Sequence, residues 1–572
     1  MIKIKEKIQQ PQKKKTIKLV TGLANKIINE LNFVETINRN VEWDEDHWKV
    51  SPGQLAKALV LSTFADIRVK LTHLEERLSG YDLKYLLDLE EEDQFINAFN
   101  VGRALERIGE GDVNASYETM ALSALQKYDI PSTRIHSDTT TISFYGEYDI
   151  EKMDLSEDEK ESILRVEKGY NKDGRAGDSQ VVIGQMVNEH GIPLSVRSMD
   201  GSTSDIEWNK QALDYFDKLR NHGFSEGIYI ADCKVVTEEL VRRMNSKEGR
   251  ISFVSRCPAN FDSLLSKRMV EKAYQSSKWE DIGSVASGEN AATYRLISFL
   301  ESVYESQMRL VVLESSSLSA KAEKSLEKAK DKLNPLIRTL ESKEFVCLAD
   351  AQKEYERFVK MKELKLFEIN IEIVEKTQEK WPRGRRSATT KPLISKSYQI
   401  HVTHFDFNEQ RRKQYLQAQS SFVLISNVTD EKVSDEELLK IYKGQHVVET
   451  SFRQLKSPSL ASVIYLKNPV RIEALTMLLN FSLLVRAIIQ FRMREGLKKH
   501  NEENPQEPIY AGWKGRPLTS PTFQLLFEHA INCCFECEAE GEYSFDWSST
   551  KTKNLVQPLL SLMGETVATL LQ

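Results

Sequence analysis

Three acids stand in contexts suited to holding a divalent cation: Asp138, Asp232 and Glu449. Asp138 lies in Arg134-Ile-His-Ser-Asp138-Thr-Thr-Thr, a run rich in β-branched residues that reads as a strand. Asp232 closes the short apolar strand Gly227-Ile-Tyr-Ile-Ala-Asp232. Glu449 belongs to Tyr442-Lys-Gly-Gln445-His-Val-Val-Glu449-Thr-Ser-Phe-Arg453-Gln-Leu-Lys456, which follows a polar cap region and lacks proline, so it reads as one helix. At about 3.6 residues per turn, Tyr442, Gln445, Glu449, Arg453 and Lys456 project from roughly one face. A packing surface would carry an apolar stripe there. Taken alone, the stretch fits a solvated face with ion pairs equally well.

If the first and fourth strands of a sheet are neighbours, Asp138 and Asp232 lie side by side at one end. The helix bearing Glu449 can then close over them. Three converging carboxylates repel one another and raise one another's pKa. Two divalent cations relieve that repulsion, and an all-oxygen ligand set suits Mg²⁺, with Mn²⁺ as a substitute. Two such ions about 4 Å apart clamp the attacking and leaving oxygens of an in-line phosphoryl transfer.

The elements around these acids follow the order β-β-β-α-β-α-β between Arg134 and Arg256, the skeleton of an α/β ribonuclease-H-like core. The expected core comes in two parts, residues 130–257 and 431–497, separated by an inserted, mainly-β domain at 258–430. That insertion also carries a charged helical stretch from Ala320 to Ser342. It contains Lys380-Trp381-Pro-Arg383-Gly-Arg385-Arg386, which reads as a phosphate-contacting loop or as a solvated one. Residues 1–18 read as a basic tail, 19–125 as a helical N-terminal domain of a kind that often binds DNA, and 498–572 as a helical C-terminal region. In the N-terminal domain Ser51 is placed as N-cap, with Pro52 at the first helical position. No recognition helix is evident there.

The chain has 572 residues, 29% of them charged, with a net charge of -6. DNA contact must therefore come from local basic patches rather than from overall charge. Six scattered cysteines fit a reducing compartment. Cys533, Cys534 and Cys537 lie near His529, but without a distant second pair of ligands they make a weak metal signal. Met1 to Lys18 lacks the apolar segment of a signal peptide. The run from Ala474 to Phe491, interrupted by Asn480 and Arg486, reads as a buried helix and not a membrane span. The expectation is a soluble, cytoplasmic protein with no membrane partner.

Four motifs together resemble those of bacterial insertion-sequence DDE transposases: Arg134-Ile-His-Ser-Asp138-Thr-Thr-Thr, Gly201-Ser-Thr-Ser-Asp205, Ile230-Ala-Asp232 and Tyr442-x2-Gln445-x3-Glu449-x6-Lys456. The branch resembled has a β-strand insertion domain and a Tyr-x2-Arg-x3-Glu-x6-Lys signature. The resemblance covers most of the chain, including Ser51-Pro-Gly53 and Leu71-Thr-His-Leu-Glu-Glu76. It implies cleavage of double-stranded DNA at terminal inverted repeats and strand transfer into target DNA, by a homodimer using two Mg²⁺ ions. It makes Asp138, Asp232 and Glu449 the catalytic metal ligands, and Tyr442 and Lys456 contacts to the transposon-end backbone. Arg453 joins them from the same helix face, and Arg383, Arg385 and Arg386 from the basic loop. Gln445 stands where the family has arginine; its neutral amide can still donate to a phosphate oxygen, without the charge or the fork. Family analogy makes a hairpin intermediate plausible and leaves open whether Trp279 or Trp381 would flip a base. Two other readings remain: a metal nuclease that cuts without joining, and a non-catalytic DNA-binding protein derived from a transposase.

Overall fold

The computed structural model describes residues 14–571 apart from 66–73, 75–77, 79, 90–94, 149–155, 157–159, 161–162, 176, 221–226, 248, 286–290, 382, 384–390, 431–432, 458–459, 461–465 and 540. The chain divides into two compact units. The first comprises Met1–Val235, Arg243–Phe253 and Ile441–Gln572, the second Val236–Arg242 and Val254–Lys440.

The first unit opens with helices, among them α1 (Leu19–Glu30), α2 (Pro52–Ala65), α3 (Ala98–Glu110) and α4 (Val113–Lys127). Ser51 caps α2 as its sequence suggests. The Gln54 N–H donates to Ser51 Oγ at 3.2 Å, and the Ser51 N–H donates to Gln54 Oε1 at 3.0 Å, a reciprocal capping box.

Then comes the sheet: β1 (Arg134–Phe144), β2 (Ser179–Asn188), β3 (Pro193–Met199), helix α5 (Asp205–Arg220), β4 (Ile228–Ala231), helix α6 (Glu238–Met244) and β5 (Ser252–Arg256). These long strands run in the spatial order β3-β2-β1-β4-β5. β2 is antiparallel to β1 and β3, whereas β1 and β4 are parallel, with Arg134–Ser137 opposite Ile228–Ala231. Helix α5 is held close to the sheet at Gly184 of β2, where a Cβ would stand 2.4 Å from the Trp208 ring. The Trp208 indole N–H donates to Ser137 Oγ at 2.9 Å, next to Asp138.

After α7 (Asp435–Lys443) and α8 (His446–Leu455), the 35-residue helix α9 (Pro469–Glu503) runs through the core, buried around most of its circumference. By length and composition it could cross a membrane, yet 89% of its most apolar window is buried. Two of its buried polar residues have partners inside the fold. Gln185 of β2 donates to Asn480, and Arg486 donates to the Thr63 carbonyl at 2.7 Å while lying over Phe64 and Phe523. A buried polar group costs little once its hydrogen bonds are made, which is how this helix tolerates both residues.

Two expectations about the ends are corrected. The region 498–572 is not purely helical: Cys534–Ala539 and Glu542–Asp546 form a hairpin. Its first strand pairs with Thr16–Lys18, so residues 16–18 are part of a sheet and not a tail. Lys14 reaches Glu538 at 2.8 Å. The rest of the expected tail, 1–13, lies outside the described residues.

The second unit contains an antiparallel sheet of Ser421–Ser426, Ser306–Ser315, Thr293–Val303 and Glu280–Ser284, with Val254–Arg256 of β5 opposite Leu424–Ser426. A long hairpin, Phe367–Lys380 and Leu393–Phe407, packs its base on Leu333, Ile337, Leu340 and Phe358. Helices Leu265–Gln275, Ser316–Glu341, Leu348–Val359 and Glu409–Ser420 make the stretch α+β, where the sequence suggested mainly β. These helices are charged, with narrow apolar stripes such as Ala322, Leu326, Leu333, Ile337 and Leu340.

Candidate active site

Because Ser137 of β1 sits opposite Ala231 of β4, the next residues, Asp138 within β1 and Asp232 just past the end of β4, come side by side on neighbouring parallel strands. Adjacent strands lie about 4.8 Å apart, so the two carboxylates share one small volume. Burial pushes Asp138 up to about 6, and the charges of Asp232 and Asp205 push the same way, against Lys172 and the Thr139 N–H. Asp232 is also raised, chiefly by burial, with Asp205 adding to it. Each acid is oriented by one backbone donor. The Thr139 N–H donates to Asp138 Oδ1 at 2.7 Å, and the Lys234 N–H to Asp232 Oδ1 at 2.9 Å.

Asp205, the first residue of α5, belongs to the same electrostatic group, although only its motif and not its role was read from the sequence. Burial would raise it, but the Thr139 hydroxyl at 2.5 Å and the Lys172 ammonium at 2.9 Å outweigh that, and its carboxyl lies below the usual range. Lys172 was not anticipated at all. Its Nζ also stands 3.7 Å from Asp138 Oδ1, with the side chain 28% exposed. It lies in a turn ahead of β2 that carries no recognisable motif, so nothing local announces it.

The helix expected across Tyr442 to Lys456 is two helices. α7 ends at Lys443, and α8 begins at His446 after a tight turn through Gly444 and Gln445. Gly444 permits a close approach to β1, since a Cβ there would stand 2.8 Å from His136 Cε1. The Gln445 amide turns inward and donates to the Ser137 carbonyl at 3.0 Å. His136, beside it, is pushed down to about 4 by burial, with Gln445 bonding opposing, so it stays neutral. Val448 and Phe452 pack on Val187 of β2. Helix α8 is thus pinned to the strand that carries Asp138, through the position where the resembled family has arginine.

The remaining candidates are dispersed. Tyr442 is half-buried near the end of α7, while Glu449 and Arg453 are exposed on α8. Lys456 ends α8 and binds Asp173 Oδ1 at 2.7 Å. Among the described residues no three acid, histidine or cysteine side chains are grouped closely enough to hold a metal ion as they stand. Asp138 and Asp232 nonetheless suit a hard divalent cation: they are oxygen donors, desolvated and mutually repelling, and already draw a lysine ammonium toward them. Arg383 is exposed in the second unit; Arg385 and Arg386 lie outside the described residues. Cys533, Cys534 and Cys537 are free thiols, all raised chiefly by burial, Cys533 to about 11. His529 Nε2 lies 3.3 Å from the Ala511 carbonyl.

Residues 13–122 match a family described as a domain of unknown function, DUF4277. No curated protein matches the chain. Among solved structures, the chain is similar to the piggyBac transposase, determined by cryo-EM as a synaptic complex with hairpin DNA. The identity is 8% and the TM-score 0.37, over 98% of this chain and 83% of that one. A TM-score of this size does not assign a fold.

Proposed function

We propose that the chain is a DDE transposase with a ribonuclease-H-like catalytic core, cutting DNA at terminal inverted repeats and joining the ends to target DNA. The observation that carries this reading is the register of β1 and β4, which sets Asp138, within β1, beside Asp232, just past the end of β4. The strand order β3-β2-β1-β4-β5 and the docking of α8 beside Asp138 support it. So do the four sequence motifs.

In this reading Asp138 and Asp232 hold Mg²⁺, or Mn²⁺ in its place, and Glu449 completes the ligand set. When bound, two such ions supply the charge that activates an attacking hydroxyl and stabilises a leaving 3′-oxygen. The Thr139 and Lys234 amides fix the two aspartates, and the Trp208 bond to Ser137 keeps α5 from shifting β1. Gln445 holds the start of α8 against β1, and Glu449 joins the acids from that helix. Lys456, Tyr442, Arg453 and the loop of Arg383, Arg385 and Arg386 contact DNA backbone. These contacts set affinity and register rather than sequence choice. The working species is a homodimer on two ends, in the bacterial cytoplasm at the nucleoid.

The test uses the full-length chain with Mg²⁺ and linear DNA bearing the inverted repeats that flank its coding region. Nicks at the repeat ends and joined products are expected, and both vanish in Asp138→Asn and Asp232→Asn. Cleavage that survives either substitution would remove these acids from the chemistry. Cuts without joined products would favour the nuclease reading.

A further inference from the structure

The turn ahead of β2 is unusually well tied down. The Asn171 Nδ2 donates to Ser143 Oγ and to Gln180 Oε1, both at 3.0 Å. Its Oδ1 accepts the N–H groups of Asp173 at 2.9 Å and Arg175 at 3.1 Å. The Lys172 N–H donates to Thr141 Oγ1 at 3.2 Å. Two consecutive side chains therefore leave the turn in fixed directions, each toward one part of the proposed site. Lys172 Nζ donates to the Thr139 carbonyl at 3.0 Å, to Thr139 Oγ1 at 2.5 Å and to Asp205 at 2.9 Å, close beside Asp138. Asp173 takes both of its short contacts, 2.7 and 2.8 Å, from Lys456 Nζ.

The charges are the inverse of what the proposed reaction needs at those two places. We infer that the Asn171–Gly174 turn is an internal competitor for both halves of the site: the Lys172 ammonium stands where a divalent cation would bind Asp138, and the Asp173 carboxylate takes from Lys456 the place of a DNA phosphate. The inference rests on the proposed function. A carboxylate and a phosphate oxygen make the same charge-assisted bond to an ammonium group, so Asp173 and DNA cannot use Lys456 at once. An ammonium and a divalent cation within about 4 Å of the same carboxylates repel each other, so metal entry must move Lys172.

Because the two residues are adjacent in one turn, the displacements are linked. Metal that expels Lys172 loosens Asp173 and frees Lys456 for DNA. DNA that takes Lys456 frees the turn and opens the acids to metal. Linkage requires that each ligand strengthen the other by the same factor. Metal and DNA thereby each favour opening of the site to the other.

The test uses the full-length chain and two probes. Mn²⁺ alone is followed by electron paramagnetic resonance without DNA, and a fluorescein-labelled duplex of about 25 base pairs of arbitrary sequence is titrated in EDTA. Lys172→Met should lower the Mn²⁺ concentration for half-saturation about tenfold or more, having removed a cation from beside the ligands. Asp173→Asn should tighten the duplex in EDTA about two- to fivefold, the worth of a partly exposed ion pair. In the double variant the gain in duplex affinity on adding Mn²⁺ should shrink toward none. Lys172→Arg keeps the charge and should behave as wild type. The Asp173→Asn arm stands independently if Lys172→Met fails to fold. Unchanged or weaker Mn²⁺ binding in Lys172→Met, or unchanged or weaker duplex binding in Asp173→Asn, would overturn the competitor. If neither the wild type nor any variant bound Mn²⁺, the proposed function itself would fall. A wild type that binds Mn²⁺ as well as Lys172→Met does would leave that function standing and remove only this inference.

Discussion

Strands β1 and β4 and helix α8 carry residues of the proposed site, and the two kinds of element hold them differently. Asp138 and Asp232 are placed by strands whose register is set by a ladder of backbone hydrogen bonds, so their juxtaposition follows from the pairing of Ser137 with Ala231. They are partly desolvated, and their ionisation is costly enough to raise both. On α8 the side chains face three ways. Gln445 points into the sheet, Glu449 and Arg453 face solvent, and Lys456 is bound to Asp173. A sheet fixes a functional pair through its backbone, whereas a helix offers several faces and lets packing choose among them.

The sharpest way to break this contrast is to compare the acids on the two elements. Asp138→Asn, Asp232→Asn and Glu449→Gln should each reduce Mg²⁺-dependent cleavage about a thousandfold, the loss of several kcal/mol of charge stabilisation. They should differ in Mn²⁺ binding without DNA, with the strand variants losing it and Glu449→Gln keeping most of it. Equal losses in all three would mean that Glu449 already belongs to the acid group in the free protein.

Next is the pH dependence of Asp138. Its folded pKa, about 6, is above the ordinary 3.8, so ionising it opposes folding. That cost is full above about pH 6 and shrinks as the pH falls through 6, vanishing below 4, where folded and unfolded forms are both protonated. Metal-free Asp138→Asn should therefore be more stable than wild type by about 3 kcal/mol near pH 8, and no more stable near pH 3. Urea unfolding at the two pH values measures it. A difference that stayed constant with pH would place Asp138 in ordinary solvent.

Gln445 gives the third contrast, because sequence and structure point in opposite directions. From the family pattern, Gln445→Arg is a restoration that should tighten DNA binding. In the fold, arginine must replace an inward amide beside buried His136, so the substitution should cost about 1 to 2 kcal/mol of stability. Unaltered stability together with tighter DNA binding would show that the side chain turns outward. The smallest effect is expected far from the acids: Arg383→Ala should flatten the log–log salt dependence of DNA binding by about 0.9, one phosphate contact. An unchanged slope would leave Arg383 in solvent.

Much of the site's frame was legible because strands announce themselves locally. The β-branched run at Arg134–Phe144 and the apolar run closing on Asp232 could be read in place, and so could the β-β-β-α-β-α-β order. The hairpin at Cys534–Asp546 was missed because its first strand pairs with Thr16–Lys18, at the other end of the chain. The break at Gly444 was missed because a lone glycine in a helical pattern is usually tolerated. Only the nearness of His136 makes this one necessary.

What the sequence determined by itself is which residues can do chemistry and which local elements carry them: one acid within a β-branched strand and another closing an apolar one, a charged helix, a capped α2. Alternation, capping and propensity act over a few residues, so they survive in a linear reading. What only the tertiary structure decided is the partner of each side chain. Lys172 lies beside Asp138 and Asp205, Asp173 binds Lys456, and Gln445 bonds to the backbone of β1. Those partners are separated from one another by tens to hundreds of residues, and a long polar side chain takes whichever opposite charge or unmet carbonyl the packing brings within about 3 Å.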